Sequence, residues 1–158
     1  MKKALIIISL GAVLFLAACS ENTKSEKNTD TKQTEKAEVE AKVEDKDTVV
    51  DGLKIKIKKQ EVNKKVSNSK TQQLYTFTIS GENMSSTNKG LGAVDFVLKT
   101  KDGKEIQIDP SMAAFGNEIE PNKQLEGKAS FAVDEKQTAT KLVYKPLDKE
   151  LAEWEVSK

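Results

Sequence analysis

The sequence predicts an all-β fold over residues 49–158, an antiparallel β-sandwich of about seven short strands. Three observations carry that expectation. Apolar residues recur at every second position in several short runs, which is the signature of strands with one buried face. Turn-forming residues separate those runs at short intervals. No stretch alternates strands with long amphipathic helices, so a parallel α/β sheet is excluded.

The elements follow in order. Leu53, Ile55 and Ile57 alternate with Lys54, Lys56 and Lys58, giving a half-buried strand with lysines outward. Tyr75, Phe77 and Ile79 alternate with Thr76 and Thr78, although Leu74 falls on the polar face. Val94, Phe96 and Leu98 make a third strand. Ile106 and Ile108 make a fourth, joined to the third by Lys101-Asp102-Gly103-Lys104, where Asp-Gly is a strong hairpin signal. Asp109-Pro110 ends that strand, and an irregular stretch with Met112, Phe115 and Ile119 leads to a turn at Glu120-Pro121-Asn122-Lys123. Leu125, Gly127, Ala129, Phe131 and Val133 line one face of a fifth strand. Leu142 and Tyr144 mark the sixth. Trp154 and Val156 mark the seventh, after a helical turn between Leu147 and Leu151.

Upstream the pattern is different. Lys2 and Lys3 precede an apolar run from Ala4 to Phe15, and small residues precede Cys19, as in a secretory signal peptide over residues 1–18. The apolar run is shorter than the ~20 residues a membrane-spanning helix needs. Leu16-Ala17-Ala18-Cys19 matches the lipobox of bacterial lipoproteins, which implies cleavage before Cys19 and a diacylglyceryl group on its sulfur. Two acyl chains hold firmly where one is marginal, since each buried CH₂ contributes about 0.8 kcal/mol. Residues 19–48 then carry the lipidated Cys and a charged segment with no aromatic residue, too poor in apolar surface to offset the entropy of ordering. They read as a disordered tether with a reach of about 30 Å for a flexible chain of this length.

Composition excludes several chemistries. The basic residues are all lysine, there is no Arg or His, and the formal net charge is +1. Nucleic-acid binding needs clustered basic residues and leans on Arg, so no nucleic-acid partner is expected. Cys19 is the single cysteine, so the folded part has no disulfide, thiolate metal site or Cys nucleophile. Without His, the commonest general base and metal ligand is missing.

The stretch from Val49 to Val156 resembles a telokin-like, immunoglobulin-fold domain of unknown function found in small Gram-positive bacterial lipoproteins. The residues that carry the likeness are Tyr75-Thr76-Phe77-Thr78-Ile79 with Asn83, Asp95-Phe96-Val97-Leu98 with Lys101-Asp102-Gly103, Glu120-Pro121-Asn122-Lys123 leading to Glu126-Gly127, Phe131-Ala132-Val133, and Leu142-Val143-Tyr144. Such domains carry Pro-Gly where this chain has Pro121-Asn122, and Asn tolerates the left-handed turn conformation. The resemblance implies an Ig-like sandwich. It implies no activity and no catalytic residue. The Cys…Trp…Cys pattern of antibody domains is absent, so packing alone holds this sandwich.

Ser67-Asn68-Ser69-Lys70 and Ser86-Thr87-Asn88-Lys89 match the Ser-x-x-Lys of penicillin-recognising enzymes, but neither opens a helix and no Lys-Thr-Gly follows. Asp95, Asp102, Glu105, Asp109, Glu118 and Glu120 are candidate acid–base or calcium-binding carboxylates, yet no calcium-loop spacing is present and solvated surface charge is the plainer reading. Met112 and Phe115 mark a candidate partner-binding loop, or a cap on one end of the sandwich. The loop from Asn83 to Gly92 is a second candidate recognition surface. No catalytic residue, metal site or cofactor is expected. The chain reads as an extracytoplasmic lipoprotein held on the cell membrane through Cys19, a non-enzymatic binding module of the cell envelope facing an envelope protein or wall polymer. A carboxylate- or metal-assisted hydrolase of cell-wall material is the alternative, and a small solute-binding lipoprotein ranks third.

Overall fold

The structure is a computed structural model and describes residues 39–41, 47–67 and 69–157. Eleven antiparallel strands and two short 3-10 turns make up the described fold. β1 (Val39–Ala41), β2 (Thr48–Val50), β3 (Leu53–Ser67), β4 (Lys70–Asn83) and β9 (Gln124–Asp134) form one sheet. β6 (Phe96–Thr100), β7 (Glu105–Ile106), β10 (Ala139–Tyr144) and β11 (Ala152–Glu155) form the second, in the order β11-β10-β6-β7. β5 (Lys89–Gly92) pairs with β8 (Gly116–Ile119) as a separate ribbon. The 3-10 turns are Ala93–Asp95 and Pro146–Asp148.

The inner faces of the two sheets meet in one core. Phe77 and Phe131 pack edge-to-face at 5.9 Å, and Phe96 lies 5.2 Å from Tyr144 and 6.3 Å from Trp154. Phe77, Phe96 and Phe131 are fully buried, each contributing about 1.5–3 kcal/mol of apolar burial. Among the described residues no buried side-chain polar atom lacks a hydrogen bond.

β3 begins with the expected alternation, and Leu53, Ile55 and Ile57 are buried. A bulge at Lys58 then shifts the register, because Ile57 faces Ile79 but Lys59 faces Thr78. An extra residue moves the following side chains to the opposite face. Gln60 therefore turns into the core instead of a hydrophobic residue. Its Nε2 donates to the Ser157 carbonyl at 2.9 Å, and Ser157 N–H donates to its Oε1 at 3.0 Å. A side-chain amide thus takes the place of one rung of a ladder and ties the C-terminal strand across to the first sheet.

All seven expected strands are present, and four short ones were not expected: β1, β2, β5 and β8. Three boundaries differ from the sequence reading. Val94 is not in a strand; it sits exposed on the 3-10 turn before Phe96. β7 stops at Ile106, short of Ile108, and β11 stops at Glu155, short of Val156. Of the segment 19–48, Val39–Ala41 and Asp47–Thr48 are described. Val39–Ala41 pair with Val62–Gln60, and Thr48 pairs with Ile55, so these four residues of the expected tether are strand. Residues 1–18, with Leu16, Ala17 and Ala18, and Cys19 lie outside the described residues.

The register defines two ends. β3 runs from Leu53 to Ser67, β4 returns, and β9 starts opposite Glu82. Tyr144, Phe96 and Ala152 lie level with one another in the second sheet. The turns at 51–52, 84–88, 93–95, 120–123 and 146–148 therefore share one end, the turn end. The β3–β4 connection and the links 101–104 and 135–138 share the other, the hairpin end.

Candidate functional site

The segment between β7 and β8 carries the candidate loop. Asp109 opens it. Its Oδ1 accepts from Ser111 N–H at 3.0 Å and from Ser111 Oγ–H at 2.8 Å, and its other oxygen pairs with Lys65. Lys65 also donates to Ser111 Oγ at 2.7 Å. Burial works to raise the Asp109 carboxyl, but the Lys65 ammonium and the two Ser111 donors outweigh it and hold the group below the usual carboxylate range. A groove of about 370 Å³ runs past this knot, lined by Ser67, Gln72, Gln107, Asp109, Ser111 and Ala132. A serine beside a lysine suggests nucleophile chemistry, which requires a neutral amine to take the proton. Lys65 is tied to the Asp109 carboxylate, and Ser111 spends its hydroxyl proton on Asp109 instead of turning it to a base. The geometry pins a loop to β3.

Met112 and Phe115 separate in the structure. Met112 is 38% exposed, while Phe115 is partly buried against the core. Phe115 lies directly over Gly127: a Cβ there would come within 2.2 Å of the phenyl ring. Leu91 lies over Gly81 in the same way, also at 2.2 Å. The two glycines remove side chains from the inner face of the first sheet, so the β5–β8 ribbon and its flanks settle directly on the backbone.

The loop from Asn83 to Gly92 is anchored at its root. Asn83 is fully buried, and its Nδ2 donates to the carbonyls of Thr87 and Ile119, both at 2.7 Å. Its Oδ1 accepts from Ser85 N–H at 2.9 Å and Ser85 Oγ–H at 2.7 Å. Its backbone bonds Lys123 and Asn122 across the neighbouring turn. One side chain thereby organises two turns, and Met84 beside it stays 55% exposed. Val49, Val94 and Leu147, the other large apolar residues exposed at this end, lie on β2 and the two 3-10 turns.

The remaining candidates stay apart. Asp102 sits in the β6–β7 turn, where Thr100 Oγ1 donates to it at 2.5 Å and, with Lys104 and Gln137, holds its carboxyl well below the usual range. Glu105 pairs with Lys145 at 2.9 Å. Asp95 accepts from Gly92 N–H at 2.7 Å. Glu118 accepts from Asn88 at 3.3 Å, and Glu120 is exposed beside the turn at Pro121. Among the described residues no three His, Cys, Asp or Glu side chains cluster to hold a metal. Of the two Ser-x-x-Lys matches, Lys89 is taken by Asp51 at 3.2 Å, and Ser67 and Lys70 face each other in the β3–β4 ladder. The Asn83 hub and the exposed apolar residues of the turn end were missed by sequence reasoning. An Asn closing a strand, followed by Ser and Thr, was the available signal for the hub.

No family profile matches the chain, and no curated protein matches it. Solved structures share its architecture. One is a candidate lipoprotein (ycdA) from Bacillus subtilis, 21% identical with a TM-score of 0.54 over 77% of this chain. This chain spans only 39% of that protein's length. A functionally unknown protein from Listeria monocytogenes is 14% identical with a TM-score of 0.53, over 78% of this chain and 89% of its own. A conserved hypothetical protein from Bacillus anthracis is 14% identical with a TM-score of 0.52, over 77% of this chain and 99% of its own. At these identities the likeness establishes the β-rich fold alone.

Proposed function

We propose that the chain is an extracytoplasmic lipoprotein, held on the cell membrane by lipid on Cys19, whose β-sandwich is a non-enzymatic binding module of immunoglobulin type. The observation that carries the reading is Leu16-Ala17-Ala18-Cys19 at the end of a lysine-led apolar run. The name of the Bacillus subtilis structural neighbour agrees with it. The described residues contain no helix long and apolar enough to cross a membrane, so they supply no helical anchor of their own.

The binding half rests on how the polar groups are used. Asp109, the buried carboxylate, is partnered by a lysine instead of a second carboxylate, which does not favour an acid–base pair. The turn end, by contrast, carries outward apolar side chains on turns fixed from below by Asn83. The test of anchoring is detergent phase partition combined with mass analysis of the mature N-terminus. The native protein should enter the detergent phase and begin with a diacylated Cys19, and Cys19→Ala should stay in the aqueous phase or remain unprocessed. A native protein that partitions like the variant would defeat the reading.

A further inference from the structure

We propose that the tip of the β3–β4 hairpin is a membrane-contact surface, which rests Lys64, Val66 and Lys70 on a bilayer rich in anionic lipid headgroups. The proposal deepens the anchored-lipoprotein reading and rests on it.

The tip stands clear of the sheet. The β3–β4 ladder runs on to Ser67 opposite Lys70, whereas β9 stops at Asp134 opposite Gln72. The last two pairs therefore project beyond β9. Val66 sits in that projection, opposite the exposed Thr71, and is 60% exposed. Side chains alternate along a strand, so Lys64 and Val66 share one face of β3.

The lysines of the tip are uncommitted. No acidic residue lies between Glu61 and Glu82, a stretch that holds Lys64, Lys65 and Lys70. Lys65 is spent on Asp109. Among the described residues the Lys64 and Lys70 ammonium groups have no hydrogen bond or ion pair, nor have those of Lys101 and Lys136 on the other two links of this end. The carboxylates of this end are spent or set back. Asp102 holds Lys104 at 3.1 Å. Asp134 stands two pairs behind the tip, next to Glu135, and accepts from Lys136 N–H at 3.0 Å. The turn end has no such lysine surplus. There Asp51 and Asp148 pair with Lys89 and Lys145, and Lys123 and Lys149 are matched by Asp95 and Glu120. An anionic surface therefore attracts the hairpin end in preference to the turn end.

The valine selects lipid. Free ammonium groups around an exposed aliphatic side chain suit an interface, where the charges meet headgroup phosphates and the apolar group enters the boundary below them. A soluble polyanion would use the lysines and leave Val66 idle. So small a contact does not hold a free domain on a bilayer. Lipid on Cys19 changes that. Cys19 precedes Val39 by 20 residues, so even a fully extended chain keeps Val39 within about 70 Å of the surface. At the effective concentration this sets, a weak contact is populated. With the tip on the bilayer, the turn end faces away from it.

The test uses the full-length lipidated protein, purified from its own cells and reconstituted in vesicles of phosphatidylcholine with or without phosphatidylglycerol. A polarity-sensitive fluorophore is attached at Thr71→Cys beside the tip or, as a control, at Leu147→Cys; the lipid-bearing sulfur of Cys19 is closed to the label. Spin-labelled lipids read contact by quenching. The expected result is quenching at position 71 and not at 147, on the anionic vesicles alone. Lys64→Gln with Lys70→Gln should weaken the contact about twentyfold, since each lysine near an anionic surface is worth about fivefold. Val66→Ser should weaken it several-fold. The melting temperature should hold in both variants. Equal quenching on neutral vesicles, equal quenching at 147, or a contact indifferent to either variant overturns the proposal and leaves the anchored reading standing. Protein that fails to float with the vesicles and carries an unmodified Cys19 removes both.

Discussion

The two ends of the sandwich are held by different physics. At the hairpin end β3 and β4 continue their ladder to Ser67 and Lys70, so backbone hydrogen bonds carry the structure and the side chains there are mostly polar and exposed. A part-buried ion pair, Lys65 with Asp109, adds a strut from the loop after β7. At the turn end five turns meet, and short ladders cannot hold them all. Side-chain-to-backbone bonds from Asn83 and close packing over Gly81 and Gly127 do that work instead. A ladder-held end tolerates side-chain change, because every residue type offers the same backbone groups. An end organised by one buried amide and two bare backbone positions does not. It also shows Val49, Met84, Val94 and Leu147 to solvent, where the hairpin end shows Val66.

The largest expected effect comes from breaking the turn end at its hub. Asn83→Ala removes both donors to the Thr87 and Ile119 carbonyls and the acceptor for Ser85, and should cost about 2–4 kcal/mol, since each buried group left unpaired costs about 1–3 kcal/mol. Urea unfolding measures it; a loss under 1 kcal/mol would show that the turns hold one another without the hub.

Gly127→Ala should follow at about 1–3 kcal/mol, the usual cost of overpacking. The new methyl group strikes Phe115 and must lift it from the sheet. Binding of a hydrophobic dye together with a lower melting temperature is the expected pair of signals. An unchanged melting temperature would mean that Phe115 is not seated there.

The hairpin end sharpens the comparison through pH. The Asp109 carboxyl is lowered in the folded state, so its contribution to stability is present above the ordinary carboxylate pKa and is lost as pH falls through the lowered folded value. Asp109→Asn should cost about 1–2 kcal/mol near neutral pH by leaving Lys65 without its partner. It should also flatten the acid limb of the stability–pH curve. Parallel acid limbs for the two proteins would place the acid sensitivity elsewhere.

The smallest effect should be a gain. Leu147→Asn relieves a left-handed leucine and should stabilise the fold by about 0.5–1 kcal/mol, below the 1–2 kcal/mol cost of a left-handed residue. Calorimetry resolves that shift, and a destabilised variant would mean that Leu147 packs within its own chain.

Alternation and turn chemistry made seven strands legible, because a strand with one wet face writes its burial into every second residue. Leu53, Ile55, Ile57, Phe77, Ile79, Phe131 and Val133 are all buried as that pattern requires. The Asp51-Gly52 turn, with both residues at positive φ, carried a readable hairpin signal that would have revealed β2. β1, β5 and β8 were not readable. They are three or four residues long, and two contain glycine, so no period can establish itself.

Of the candidate site, the sequence by itself identified Met112, Phe115 and the loop after Asn83 as places of interest, and the Leu16–Cys19 motif as an address. Tertiary structure alone decided that Phe115 is a lid on Gly127, that Gln60 belongs in the core, and that Val94 and Leu147 face solvent on turns linked by the Lys145–Asp95 backbone bond. The reason is physical. Periodicity reports only which face of an element is dry. A bulge that resets the phase, a glycine that admits a distant ring and two turns joined by one hydrogen bond all depend on residues far apart in the chain, which meet only once the sheets have packed.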